Sequence, residues 1–315
     1  MSAKPRVSLV LGAGGARGLA HIGVIRAIEE AGYDIRYISG SSMGALIGGI
    51  YATGKLNVYE QWVCGLERMD IVQLLDFGWG KGGALFKGDR IMEVLKDLIG
   101  DRQIEELPIG YTAVATELNR RREVWFNRGS LFSAIRASIA IPLLFAPVHR
   151  GKQLLLDGGI LNPIPIAPTL NDDTDLIIAV GLSGTDELAG PRLRRLERNG
   201  DEQAPAPDSA PEDAADPPRT SRGDAIRQSI VEFLESLWPG DGGAETAAPD
   251  YGMFDIALEA MDVMQTSIAR LKLSAYAPDV LVEVPRSVAR IHEFDRAREL
   301  IDLGHRLMQE RLQQL

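Results

Sequence analysis

Two features of the sequence predict an α/β fold. From residue 7 to about residue 184, short apolar runs alternate with segments of helical periodicity, as in a sheet covered by helices on both faces. Hydrophobic residues make up 45% of the 315 residues, which is enough for a sizeable core. We therefore predict a three-layer α/β sandwich in which a central, mostly parallel sheet lies between two layers of helices.

The predicted elements begin with a βαβ unit. Residues 7–11 and 35–39 are apolar runs of strand length, and residues 19–31 between them have helical periodicity. A strand pair is predicted on either side of the polar turn "ELNRRR", at residues 112–115 and 123–126. Further buried strands are predicted at residues 154–156 and 176–180.

The chain is predicted to have three parts. Residues 5–185 form the α/β core, and residues 251–315 complete it with a helix at 254–273, the strand "DVLVEVP" and a closing helix at 292–312. Between them, residues 186–250 are rich in proline, alanine and acidic residues and contain few large apolar residues. Such a composition buries too little surface to offset its ordering entropy, so we expect this insert to be partly disordered.

One stretch of the insert has a different pattern. The segment "DAIRQSIVEFLESLWPG" predicts a helix because its apolar residues recur at helical spacing; they are Ile226, Ile230, Phe233, Leu234 and Leu237, with Trp238 at the end. This helix would pack on the domain or on a second copy of the chain. Alternatively, it would act as an interfacial or lid helix.

Charge and cysteine content restrict the classes of partner. The formal net charge of −10 gives no general attraction to nucleic acid or to anionic membranes, so we predict no nucleic-acid partner. The single Cys64 cannot form an internal disulfide, and no Cys/His metal spacing exists, so we predict no metal. The chain has neither an export signal nor an apolar run of about 20 residues, which predicts a cytoplasmic location and leaves peripheral membrane contact open.

A glycine-rich loop follows the first predicted strand. In "LVLGAGGARGLAHIGV" a strand leads through Gly12, Gly14, Gly15 and Gly18 into a helix, whose free amides attract an anion. A dinucleotide pyrophosphate is one candidate, but the GxGxxG fingerprint needs a small residue where Arg17 stands. The other candidate is the developing oxyanion of an acyl-transfer reaction.

A nucleophile elbow is predicted at the end of the second strand. Gly40, Ser42 and Gly44 form a GxSxG sequence between a strand and a helix, where flanking glycines allow close approach of the neighbouring backbone. Farther along, "QLLLDGGILNPIP" ends a buried strand with Asp157, followed by Gly158 and Gly159. A carboxylate that is partly withdrawn from water is a stronger base, so Asp157 is a candidate to take the serine proton.

The four histidines are weaker candidates for the base. His21 lies one helical turn after Arg17 and would support that helix, and His149 in "PVHRGK" is predicted in a turn between strands. His292 and His305 are predicted on the closing helix. None has a recognisable catalytic context.

Taken in order, the motifs "GAGGARGLAHIGV", "GSSMG", "RASIAIPLLFAPV" and "LLLDGGILNPIP" resemble the patatin-like phospholipase family, in particular its bacterial, neuropathy-target-esterase-like branch. The resemblance covers about residues 6–182 and implies the patatin-like sandwich and a serine–aspartate dyad. It implies that Ser42 is the nucleophile and Asp157 its activating partner, that the Gly14 and Gly15 amides form the oxyanion hole, and that Arg17 and Gly18 end that loop. The chain departs from the family pattern at Ala13, where the family usually has glycine.

The resemblance also implies a substrate class and leaves several alternatives. It predicts release of a fatty acid from a phospholipid or lysophospholipid without a cofactor, and it leaves the oligomeric state open. Arg17 would attract a lipid phosphate or, as we prefer, hold the loop by bonding to backbone carbonyls. The alternative functions are a non-catalytic lipid-binding or scaffold protein and a dinucleotide-binding protein.

Overall fold

The computed structural model describes residues 4–76, 84–185 and 253–315. Residues 4–76, 84–185 and Met261–Leu315 belong to one compact unit, which we call the first unit. The predicted insert at residues 186–250, with its predicted helix, lies outside the described residues. No helix within the described ranges is both long enough and apolar enough to cross a membrane.

A single twisted sheet organises the first unit and confirms the predicted fold class. Its order is β5-β6-β3-β2-β1-β7-β8, and β4 pairs with β3 outside that path. The strands β3, β2, β1, β7 and β8 are mutually parallel, while β4, β5 and β6 pair in antiparallel fashion. The strands are β1 (Arg6–Leu11), β2 (Asp34–Ser41), β3 (Gly110–Glu117), β4 (Arg122–Phe126), β5 (Val148–Arg150), β6 (Gln153–Asp157), β7 (Leu176–Gly184) and β8 (Val280–Pro285).

Helices cover both faces of this sheet, and the core lies between the layers. The helices are α1 (Ala20–Glu30), α2 (Met43–Ala52), α3 (Leu56–Val63), α4 (Arg68–Leu74), α5 (Asp89–Ile99), α6 (Leu131–Ser138), α7 (Met253–Ala275) and α8 (Ala297–Leu312). Strand β1 is central, and its run of apolar residues is fully buried, as expected for a parallel strand with helices on both sides. The βαβ unit and the β3–β4 strand pair confirm the predictions for those segments.

Two local predictions are wrong. The closing helix begins at Ala297 and not at residue 292, because the preceding segment contains a short 3-10 helix (Phe294–Arg296) and makes hydrogen bonds that an α-helix does not make. The amide of Ala16 donates to the Ile291 carbonyl, and the Arg290 amide donates to the Glu293 carboxylate. His149 lies in strand β5 and not in a turn, because residues 148–150 pair with 153–155 and the turn is formed by the two residues between them.

Candidate active site

Ser42 occupies a strained turn between β2 and α2. Its backbone has φ 54° and ψ −123°, a conformation that costs a non-glycine residue about 1–3 kcal/mol. The glycines on either side allow the turn to pack closely. A methyl group on Gly40 would overlap the backbone of Gly44, and one on Gly44 would overlap the Leu11 carbonyl. The turn therefore presents the serine at the carboxyl end of the parallel strands, directly beside the glycine-rich loop.

Strand β3 brings Asp157 to the same point. One edge of β3 pairs first with β2 and then with β6, so that Val114 is opposite Ser41 and the next residue, Ala115, is opposite Asp157. The nucleophile candidate and the carboxylate are thus aligned by adjacent residues of one strand. Gly158 makes this approach possible, since a methyl group there would overlap the Val114 carbonyl.

The Asp157 carboxyl is only half bonded. It is 1% exposed, and its Oδ1 accepts a hydrogen bond of 2.7 Å from the Gly159 amide. No group among the described residues lies in hydrogen-bonding geometry to its Oδ2. Burial raises the pKa of Asp157 to about 7, although the neighbouring Ser42 hydroxyl and the Gly159 amide act in the opposite direction. A buried group with these properties is a base suited to neutral pH.

Ser138 supports the backbone of the nucleophile elbow. It is fully buried at the end of α6, and its Oγ accepts a hydrogen bond of 3.0 Å from the Ser42 amide. The same hydroxyl donates to the Val114 carbonyl at 2.6 Å. This side chain therefore ties the backbone of the elbow to the strand that aligns Asp157.

The glycine-rich loop has two unused amides. The amides of Gly12, Ala13 and Ala16 donate to the carbonyls of Val180, Pro163 and Ile291, at 3.0, 2.8 and 2.9 Å. In contrast, the amides of Gly14 and Gly15 donate to no acceptor within the described part of the chain. Two free donors beside a nucleophile candidate are the arrangement that an oxyanion hole requires.

Arg17 is buried beneath this loop. It is 2% exposed, and its Nε donates to the Gly14 carbonyl at 3.2 Å. Its Nη2 donates to Oδ1 of Asp262 on α7 at 2.6 Å. The other oxygen of Asp262, Oδ2, forms an ion pair with Arg286 Nε at 2.7 Å. Sequence reasoning missed Asp262 and Arg286, because nothing in their local pattern distinguishes them from ordinary helix and strand-end residues.

His21 is buried and supports the same loop. Its Nε2 is 2.9 Å from the Gly12 carbonyl, and burial lowers the pKa of His21 to about 4 although this hydrogen bond acts in the opposite direction. The ring is therefore neutral at neutral pH, with Nε2 donating and Nδ1 left without a partner in the described ranges. His305 lies on α8 and contacts Glu30.

The arrangement contains the types of group that acyl transfer requires. A hydroxyl on a strained turn, a buried carboxyl with one oxygen unbonded and two free amides supply a nucleophile, a base and an anion site. Over residues 4–76, 84–185 and 253–315, no three His, Cys, Asp or Glu side chains are grouped so that they would hold a metal ion.

Comparisons with known proteins give a family and a similar fold. The family model of patatin-like phospholipases matches residues 9–170. An NTE family protein of Mycobacterium tuberculosis is 41% identical over 338 residues, covering 99% of this chain and 92% of that protein. A lysophospholipase of Emericella nidulans is 30% identical over 196 residues, covering 58% of this chain and 12% of the fungal protein. The crystal structure of VipD from Legionella pneumophila shares the fold, with a TM-score of 0.53 at 16% identity, covering 99% of this chain and 67% of VipD.

Proposed function

Since the chain belongs to the patatin-like phospholipase family, we propose that it hydrolyses lipid acyl esters with a Ser42–Asp157 dyad. Family membership by itself supports a lipid hydrolase activity. The dyad is the finer part of the proposal. The observation that carries it is the unbonded Oδ2 of Asp157, which is buried, has a carboxyl pKa near neutrality and lies beside the Ser42 hydroxyl.

The first half of the reaction forms an acyl-enzyme. Ser42 Oγ attacks the ester carbonyl carbon while its proton passes to Oδ2 of Asp157. The carbonyl oxygen becomes an oxyanion that accepts hydrogen bonds from the Gly14 and Gly15 amides, and loss of one such donor typically costs about 3 kcal/mol in barrier height. The C–O bond to the alcohol then breaks, and the alcohol takes the proton from Asp157.

The second half releases the fatty acid. Water attacks the acyl-serine carbonyl while Asp157 accepts a proton from that water. The tetrahedral oxyanion again accepts bonds from the two amides. As the bond to Ser42 Oγ breaks, the serine takes the proton back, so that the enzyme returns to its starting state and the acid leaves.

The substrate class in this proposal is a phospholipid or lysophospholipid. The support is the phospholipase description of the family and the lysophospholipase relative from Emericella nidulans. Arg17 fits a supporting role in this reaction better than a phosphate-binding one, because its guanidinium is buried and bonded to Gly14 and Asp262. It would hold the Gly14 carbonyl and, through it, the direction of the loop amides.

Activity-based labelling tests the proposal directly. A fluorophosphonate probe is expected to label the protein, and peptide mapping is expected to find the label on Ser42. Labelling and turnover of a short-chain ester are expected to be lost in Ser42→Ala and to fall by about 10⁴-fold in Asp157→Asn, since an uncharged amide cannot accept the proton.

The chain contains a matched control for the dyad. Ser8 Oγ donates at 3.0 Å to Asp172 Oδ2, forming a second serine–aspartate contact near the amino end of the central strand β1. Ser8→Ala and Asp172→Asn are expected to retain labelling and turnover. If Asp157→Asn kept full activity while His21→Ala abolished it, the dyad would be wrong. If the wild type bound lipid without turnover or labelling, a non-catalytic lipid-binding protein would be favoured.

A further inference from the structure

Two β-hairpins carry a cluster of cations at one end of the sheet. The β3–β4 hairpin contributes Arg120, Arg121 and Arg122, and the β5–β6 hairpin contributes Arg150 and Lys152; all five side chains are exposed. We call these five residues the basic tip. The predicted turn "ELNRRR" accounts for three of them, but the other two come from a segment about 30 residues later in the sequence.

Backbone and side-chain bonds hold the two turns together. The Leu118 amide donates to the Leu154 carbonyl at 2.9 Å, and Asn119 Nδ2 donates to the Lys152 carbonyl at 3.2 Å. Arg150 lies over the ring of Phe126 with its guanidinium carbon 5.1 Å from the ring centroid. The basic tip is therefore one surface, built by tertiary pairing of the two hairpins.

The positive charge of the basic tip is mostly uncompensated. The nearly buried Glu117 accepts ion pairs from Arg120 and Arg122, which leaves one of these two cations in excess. The other nearby acid, Glu123, is paired with Lys272. The remaining three cations have no carboxylate within ion-pair distance among the described residues; they are Arg121, Arg150 and Lys152.

The basic tip extends from the end of the sheet that carries the candidate active site, the carboxyl end of the parallel strands. Asp157 pairs with Ala115, and from that level β3 and β6 continue side by side to the two turns. Asp157 is four positions along β6 from Gln153 at the turn, a distance of about 13 Å along an extended strand. A flat surface in contact with the tip would thus face the same side of the molecule as Ser42.

Exposed apolar groups accompany the cations. Leu118, in the turn itself, is 49% exposed. Trp125 is 46% exposed on the edge strand β4, where it pairs with Val114 of the same hairpin. Cations mixed with leucine and tryptophan suit the interface of a lipid bilayer, which accepts both kinds of group.

We propose that the basic tip docks this protein on anionic phospholipid bilayers, with the candidate active site turned toward the membrane. This inference rests on the proposed lipid hydrolase function for its choice of partner. The net charge of −10 does not oppose docking, because salt at physiological concentration screens charges that lie more than about 8 Å from the membrane surface. Repulsion by distant acidic residues is therefore weak. The local charge of the tip then decides the interaction.

Vesicle sedimentation tests the proposal. The wild-type protein is expected to bind vesicles of phosphatidylcholine with about one third phosphatidylserine more tightly than vesicles of phosphatidylcholine alone. The triple variant Arg121→Asn, Arg150→Gln, Lys152→Gln is expected to lower the anionic-vesicle partition coefficient by about a hundredfold, since each cation near such a surface contributes about fivefold. Asparagine suits position 121 because the backbone there has φ 51°.

A matched control removes the same charge from the opposite end of the sheet, where the parallel strands β1 and β2 begin. The control variant changes three exposed cations to glutamine: Lys4 before β1, Arg36 near the start of β2 and Lys55 after α2. This control is expected to bind anionic vesicles like the wild type. If the tip variant does not fold, raising the salt concentration on the wild type tests the same point, because binding should weaken strongly as charges are screened.

Several outcomes would overturn the docking surface. The first is equal vesicle binding by the tip variant and the wild type, and the second is an equal loss of binding in the Lys4, Arg36 and Lys55 control. The third is vesicle binding that does not depend on salt. The fourth is binding of duplex DNA in place of vesicles. Turnover of a soluble short-chain ester, measured on the wild type, tests the enzyme separately. Turnover without charge-dependent vesicle binding contradicts the docking surface alone, whereas vesicle binding without turnover contradicts the hydrolase alone.

Discussion

Asp157 and Asp262 are both buried aspartates close to the glycine-rich loop, but their oxygens have opposite kinds of partner. They are 1% and 5% exposed. Asp262 has a guanidinium on each oxygen, from Arg17 and Arg286. Asp157 has one amide on Oδ1 and no completed bond on Oδ2 among the described residues.

This difference is the basis on which we propose a reactive role for Asp157 and a structural role for Asp262. A buried carboxylate that is paired with cations keeps its charge and holds its neighbours in place, whereas a buried carboxylate without cations binds protons more readily. Burial alone therefore identifies neither role. Because the partners of the carboxyl oxygens differ, we expect the same Asp→Asn substitution to have opposite consequences for stability at the two positions.

The largest expected difference is in turnover. Asp157→Asn is expected to lower kcat/KM for a short-chain ester by about 10⁴-fold, because the proton acceptor is removed while the side-chain shape is kept. Asp262→Asn acts through Arg17 on the Gly14 carbonyl and on the Gly15 amide that shares its peptide plane, so a loss of about tenfold to a hundredfold is expected. Steady-state kinetics on the two purified variants measures both values. Equal losses would remove the distinction between the two carboxyls.

The next difference is in the free energy of unfolding, which one substitution should lower and the other should raise. Asp262→Asn is expected to lower the free energy of unfolding by about 3 kcal/mol or more, because Arg17 is left buried with a weakened partner. Asp157→Asn is expected to raise it at pH 8 by about 2–4 kcal/mol, because a buried charge is removed. Urea unfolding followed by circular dichroism measures both. Asp173→Asn, in the exposed pair with Arg6, is the control and should change stability by less than about 1 kcal/mol.

The stability gain of Asp157→Asn should also depend on pH. The folded pKa of Asp157, about 7, lies above the ordinary value of 3.8, so the folded protein binds more protons between these limits. The stability that protonated Asp157 contributes is present below pH 3.8 and is lost as the pH rises to about 7. The advantage of the Asn variant should therefore shrink between pH 8 and pH 5. A gain that is independent of pH would show that it does not come from this carboxyl.

Activity should follow the same titration. Because the ionised form of Asp157 accepts the proton, kcat/KM is expected to fall about tenfold per pH unit below the pKa of about 7 and to level off above it. Rate measurements between pH 5 and pH 9 on the wild type check this profile. A plateau that continued down to pH 5 would contradict Asp157 as the base.

The smallest expected effect is at Ser138, which supports the Ser42 side of the pair. Ser138→Ala removes the hydrogen bonds to the Ser42 amide and the Val114 carbonyl and is expected to cost about 1–2 kcal/mol in stability, with a loss of activity of about tenfold. Ser133→Ala, which removes an exposed hydroxyl on the same helix, is the control. If the two variants behaved alike, Ser138 would have no special part in holding the elbow.

Sequence reasoning was most successful where the pattern is local. The βαβ unit, the β3–β4 pair and the turn that carries Ser42 follow from periodicity and from glycines a few residues apart. It failed where distant contacts override local preference. The segment before α8 resembles a helix, but the Ile291 carbonyl accepts a bond from Ala16, so the helix begins at Ala297.

The sequence by itself determined which residue types stand at the strand ends: a serine between glycines after β2, a glycine-rich loop after β1 and an aspartate after the buried run of β6. Their catalytic roles stay predictions. Only the tertiary structure decided which buried aspartate is left half bonded, because desolvation and hydrogen bonding are set by segments remote in the chain. The partner of Arg17 lies 245 residues away, and the alignment of residues 41 and 157 depends on the register of β3.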